Sequence, residues 1–227
     1  MIQLLKKDLR VHRMALFAAA ALWTVGPAIT WLGWILRGEN TSKYLGDYIA
    51  TMGFAGFFVT VILGALLGGD AFAAERRDRT ADFLAMVPVS RAKIILSKLI
   101  LSIVIISILW AMAMGTLILS TVATPTEFHE YNGNQQSVWY PILCAMSLTI
   151  MAFGTAWLLS IFLKEPLGAT ILALMEMAAI MTLVGIYLNW HPMPDAESFW
   201  MFSYLPLFVG MISWVAGSYY YARRVEP

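Results

Sequence analysis

Residues 75–98, from Glu75 to Lys98, read ERRDRTADFLAMVPVSRAKIILSK. This is the one long charged segment of the chain, and it holds six of the 15 Lys and Arg residues. The apolar runs on either side, Tyr48–Gly69 and Leu99–Val122, are too long for the core of a soluble domain. A helix crosses a bilayer with about 20 mostly apolar residues, and no other open structure satisfies its own backbone there. The segment therefore reads as a polar loop joining two membrane spans.

The same ruler, carried outward, predicts six spans in all: Met14–Leu36, Tyr48–Gly69, Leu99–Val122, Val138–Leu163, Leu167–Trp190 and Phe199–Ala222. Composition agrees. The chain of 227 residues is 60% hydrophobic and 13% charged, with a mean hydropathy of +0.72. Soluble domains run at about 45–50% apolar and about 25% charged. The expected fold is thus all-α and polytopic, with residues 1–227 forming a single transmembrane domain. Lys164, Glu165 and Pro166 alone separate the fourth and fifth spans. Proline disfavours helix at the residue before it, which suits a tight turn.

Orientation follows from the basic residues. With the N-terminus inside, the inner segments hold Lys6, Lys7, Arg10, Arg13, the six between Arg76 and Lys98, Lys164, Arg223 and Arg224. Only Arg37 and Lys43 remain outside. Cytoplasmic loops carry an excess of Lys and Arg, so both termini are expected to be cytoplasmic. Trp31, Trp34, Trp139, Trp190 and Trp200 fall at predicted outer span ends, and Tyr219, Tyr220 and Tyr221 at an inner one. That is the distribution of an interfacial aromatic belt.

The first thirteen residues, MIQLLKKDLRVHR, place Ile2, Leu5 and Leu9 on one helical face beside Lys6, Lys7, Arg10 and Arg13. Such a helix suits the headgroup layer, with its basic side on anionic membrane lipid. An ordinary basic anchor ahead of a first span has the same composition. A lone cysteine, Cys144, allows no intrachain disulfide. His129 and the His191-Pro192-Met193 run hold residues able to bind copper or zinc, but without repeated ligand spacing no metal site is expected.

Phosphate-loop, G-x-S-x-G and H-E-x-x-H patterns are all missing, so no catalytic residue is assigned and no enzymatic activity is expected of this chain alone. The loop carries the strongest signal. On a helical wheel Glu75, Asp78, Arg79 and Asp82 share an arc of about 100°, with Thr80, Phe83, Leu84 and Val87 on the neighbouring arc and Met86 as the exception. Pro88 cannot continue the hydrogen-bond ladder and ends this amphipathic helix. Ser90 is the expected N-cap of the next one, with Lys93 where a complete capping box would have Glu or Gln. A solvated inner loop whose charges only set topology would share the composition.

The order of residues resembles the loop signature of the type-2 ABC exporter permeases. Glu75, Thr80, Asp82, Phe83-Leu84, Pro88-Val89-Ser90-Arg91 and Lys98 match the signature in order. Arg79 and Ser97 stand where that family usually has glycine, Phe83 replaces a leucine and Asp82 a glutamate. The basic amphipathic N-terminus, the six spans and the inner termini extend the resemblance beyond the loop. It implies a permease subunit in a bacterial plasma membrane, paired with a second copy or a similar chain and driven by a separate ATP-binding subunit. ATP and magnesium would belong to that subunit and none to this chain; no nucleic acid is implied. Residues 75–90 would form the coupling helix. The contact surface would comprise Glu75, Arg76, Thr80, Asp82, Phe83, Leu84, Val87, Pro88, Val89, Ser90, Arg91 and Lys98. Spans two and five commonly line the pathway in such permeases.

Glu176 is the other residue singled out. It lies near the middle of the fifth span, between Met175 and Met177, and no Lys or Arg occupies the centre of another span. A central charge costs about 2.5–3.5 kcal/mol on insertion scales, so it should face protein or water. It either faces a transport pathway or bonds a Thr or Ser of a neighbouring helix. Gly64 and Gly68 in span two permit close helix approach, within one subunit or between two. Two other functions fit these features: a proton-coupled secondary carrier using Glu176, and a membrane scaffold whose loop recruits a soluble protein.

Overall fold

Apolar runs of this length, unbroken by loop chemistry, can satisfy their backbones only as helices, and helices are what the computed structural model contains. It describes residues 45–77, 90–123, 139–190 and 195–224, together with scattered helical positions between 17 and 36. The elements are α1 (Leu45–Arg77), α2 (Arg91–Ala123), α3 (Trp139–Phe162), α4 (Pro166–Trp190) and α5 (Asp195–Arg224). No strand occurs among the described residues. Four of these helices are long and apolar enough to cross a membrane, over Ile49–Ala74, Ala92–Leu119, Ile142–Phe162 and Pro166–Trp190. In α5, Tyr204, Pro206, Trp214, Tyr219 and Tyr220 dilute the hydropathy. Most of the first predicted span and the interfacial segment 1–13 lie outside the described residues.

Helices outrun the predicted spans at the charged end. α1 continues from Gly69 to Arg77, and α2 begins at Arg91 rather than Leu99. Each has 33 residues, about 50 Å at 1.5 Å per residue. That exceeds a hydrocarbon core of about 30 Å. At the other connection, α3 ends at Phe162 and Pro166 opens α4. Proline suits the first helical position because its missing N–H would have had no partner there.

Close contacts between residue pairs fix the direction of every helix. Gly64 lies against Thr149 and Gly68 against Phe153 and Trp157, so α1 and α3 run parallel. Ser203 bonds Cys144 at 3.8 Å and Tyr220 packs on Phe162 at 5.2 Å, so α3 and α5 are parallel too. Gly53 meets Leu117 and Phe57 meets Trp110 at 4.6 Å, with Lys98 at the far end over Phe72; α2 is antiparallel. Thr170 Oγ1 donates to the Ala65 carbonyl at 3.4 Å while Gly69 meets Pro166, and α4 is antiparallel as well. The connection between α1 and α2, the turn between α3 and α4, and the end of α5 therefore share one side.

α1 and α3 form the central pair, with α2 flanking α1, α5 flanking α3, and α4 resting against both. Missing side chains make this closeness achievable. A Cβ on Gly68 would sit 3.0 Å from the Trp157 backbone nitrogen, and one on Gly210 would sit 2.6 Å from the Ile150 carbonyl carbon. Small residues at such crossings let backbones approach and gain dispersion contacts, the main attraction between helices in lipid. Gly64 and Gly68 thus serve packing within one chain.

Candidate functional site

The charged loop leaves the bundle at Glu75 and returns at Ser90, so its two anchors are the C-terminal end of α1 and the N-terminal end of α2. Residues 78–89 lie outside the described residues, and with them Thr80, Asp82, Phe83, Leu84, Val87, Pro88 and Val89. Glu75 and Arg76 continue the helical backbone of α1, and Arg91 opens α2. Ser90 is exposed immediately before α2, and its carbonyl accepts from Lys93 N at 2.9 Å and Ile94 N at 3.4 Å. That is the place expected of an N-cap, whose carbonyl begins the ladder.

Directly beneath the anchors is a knot of aromatic rings that the sequence reading did not foresee. Phe72, one turn before Glu75, is 1% exposed. Its ring meets the Trp157 indole edge-on at 4.9 Å and stacks on Tyr221 at 4.1 Å. Trp157 is fully buried and also packs against Phe153 at 5.4 Å. Aromatic pairs in these geometries contribute about 0.5–1.5 kcal/mol beyond their burial. The Lys98 ammonium of α2 lies 6.0 Å from the Phe72 centroid, at the outer limit of a cation–π contact. One side chain of α1 therefore touches α2, α3 and α5 just where the loop begins.

The details explain several residues. Ser97, at a position where the resembling permeases often have glycine, is 1% exposed and donates to its own Ile94 carbonyl at 2.9 Å. A small, self-satisfied side chain keeps the α1–α2 hairpin tight here. Tyr219, Tyr220 and Tyr221 divide their work. Tyr219 is exposed, Tyr220 packs on Phe162, and Tyr221 turns inward to Phe72. Asp70 is half-buried at the inner end of the apolar window of α1, just past the predicted span end. Its position in a polar tail that still belongs to the helix was the signal available for it. The indole N–H of Trp157, that of Trp214 and the hydroxyl of Ser218 are buried without a hydrogen-bond partner among the described residues.

Glu176 lies elsewhere. It is exposed on α4, between exposed Met175 and half-buried Met177, and no described side chain hydrogen-bonds it. Only Ala169, Thr170, Ala173 and Val184 of α4 are buried. Among the described residues, the face that carries Glu176 is thus uncovered. His129 and His191 fall outside the described residues, and the described ones bring together no group of three His, Cys, Asp or Glu side chains.

No curated protein sequence and no solved structure matches the chain. A family model described as ABC-2 family transporter protein matches residues 6–201, which takes in the loop, its anchors and the four most apolar helices. With helices that span a membrane several times and a family match over most of its length, the chain is a multi-pass membrane protein of the ABC-2 transporter family.

Proposed function

We propose that this chain is the permease subunit of an ATP-binding cassette exporter, and that a separate ATPase subunit drives it by gripping the loop between α1 and α2. The observation that carries the reading is the contact set of Phe72, whose ring joins the loop's two anchoring helices to α3 and α5. A coupling loop must pass rigid-body motion to the spans. An apolar face flanked by charge, as residues 75–87 offer on the wheel, can fill a groove on a partner. ATP-dependent closure of the partner then biases the permease between two states to the extent that their contact energies differ.

The finer topology belongs to the same reading: six spans, both termini and the loop on the cytoplasmic side of a bacterial plasma membrane. The shared side of the α1–α2 connection, the α3–α4 turn and the α5 end supports it, because these segments hold most of the basic residues. Two such subunits build the pathway. The face of α4 left uncovered by the described residues supports a second copy or a similar chain there, since Glu176 is costly against lipid and finds no partner among the described residues.

The test is co-purification of the chain with an ATP-binding cassette subunit from the same organism. Leu84→Asp or Val87→Asp, each placing a charge on the apolar arc, is expected to release the ATPase while the permease keeps its melting temperature. Retention of the ATPase by both variants would overturn docking through this face.

A further inference from the structure

On the side of α5 turned away from α3, Met211, Ile212, Val215, Ala216 and Tyr219 line a wide-open surface groove of about 410 Å³. All but the Tyr219 hydroxyl is apolar, and Met211, Ile212, Val215 and Tyr219 are exposed. Ile212, Ala216, Tyr219 and Arg223 follow one another at four-, three- and four-residue steps, so they form a single stripe along the helix. The stripe spans about 16 Å at 1.5 Å per residue, half of a hydrocarbon core of about 30 Å. Its depth is that of one leaflet. At its inner end the Arg223 guanidinium lies 4.5 Å from the Tyr219 ring centroid, which holds the cation over the mouth of the slot.

We infer that this slot binds an anionic phospholipid of the inner leaflet, with an acyl chain along Met211–Ala216 and the headgroup phosphate on Arg223. The chemistry of the mouth selects the occupant. An apolar slot alone accepts any acyl chain, but a guanidinium at headgroup depth favours a phosphate and a net negative charge. Lys164 lies at the same level, because Phe162 packs on Tyr220. Exposed Glu165 beside it offsets that charge, and Arg223 is the cation held against the Tyr219 ring at the slot. A second copy is a poorer occupant. Subunits in one membrane share an orientation, so a symmetric α5–α5 contact would set one Arg223 against the other. The inference rests on the membrane assignment and, for the choice of leaflet, on the proposed orientation; it is independent of the ATPase partner.

The full chain is reconstituted in nanodiscs of phosphatidylcholine with a minor share of phosphatidylglycerol, released into mild detergent, and the retained lipids are counted by native mass spectrometry. Wild type is expected to retain phosphatidylglycerol about fivefold above its share in the disc, the preference that about 1 kcal/mol from one basic residue gives. Arg223→Gln should return the ratio to the bulk value, and Ala216→Trp, which fills the slot, should lower retention of both lipids. Matching melting temperatures in phosphatidylcholine alone would show that the variants are folded. A wild-type ratio equal to bulk means an adventitious lipid only and overturns the site without any variant. Undiminished enrichment in Arg223→Gln overturns it too. If deleting residues 1–13 raises lipid retention, or if Ala216→Trp dissociates an oligomer without changing the lipid count, a protein segment occupies the slot and the inference fails.

Discussion

α3 and α4 are neighbours of 24 and 25 residues, nearly equal in length and both apolar throughout, yet they stand in opposite relations to the rest of the molecule. In α3 every residue from Met151 to Trp157 is buried, because α1 covers one side and α5 the other. In α4 the buried positions cluster near the N-terminal end, where Ala169, Thr170 and Ala173 meet α1. Apolar composition establishes that both belong in a membrane. What separates them is where small residues meet small residues: on α3, Ala156 meets Gly68 of α1 and Gly154 meets Gly210 of α5. One helix is the fixed axis of the chain; the other keeps a face for something outside it.

That contrast can be broken most severely at Trp157. Trp157→Ala should destabilise the chain by about 3–5 kcal/mol, the range for emptying a large buried aromatic site, read as a lower unfolding midpoint in detergent. Gly154→Val should cost about 1–3 kcal/mol by forcing α3 and α5 apart, seen in the same unfolding curve and in weakened protection of α5 from hydrogen exchange. Glu176→Gln on the open face should leave stability within about 0.5 kcal/mol. It should nonetheless change the substrate-dependent ATPase rate of the reconstituted complex. An unchanged rate would assign Glu176 no part in transport. Smallest of all is Gly185→Ala, where an added Cβ meets no atom within 4 Å. It is expected to shift the midpoint by no more than about 0.5 kcal/mol. A loss comparable to that of Gly154→Val would show that α4 is as tightly covered as α3.

How far the sequence could be read depended on what each signal measures. Hydropathy marks where apolar residues stop, and helices do not stop there. Asp70–Arg77 contains neither proline nor glycine, so α1 runs on through it to the loop. The inner tyrosines matched an interfacial belt, but hydropathy cannot tell a ring facing headgroups from Tyr221 facing Phe72. Trp157, an apolar indole with one polar N–H, is fully buried because it completes a ring cluster assembled from three helices. Glu176 stood out at once as the lone carboxyl at a span centre. What it faces is not written in one chain, because no described element of that chain covers it. For the loop, residue order suggested a family, and the match over residues 6–201 established it.

The shared direction of α1, α3 and α5 has an electrostatic consequence. Each helix carries about half a negative charge at its C-terminus through its aligned peptide dipoles. Three such ends lie on one face, and the N-terminal ends of antiparallel α2 and α4 on that face offset two of them, which leaves about half a negative charge. Basic residues occur in sequence at each of these ends: Arg76 and Arg77 are the last residues of α1, Lys164 follows α3 by two residues, and Arg223 and Arg224 are the last of α5. The basic residues on which the expected topology rests thus also complement the net negative end that the helix directions leave there.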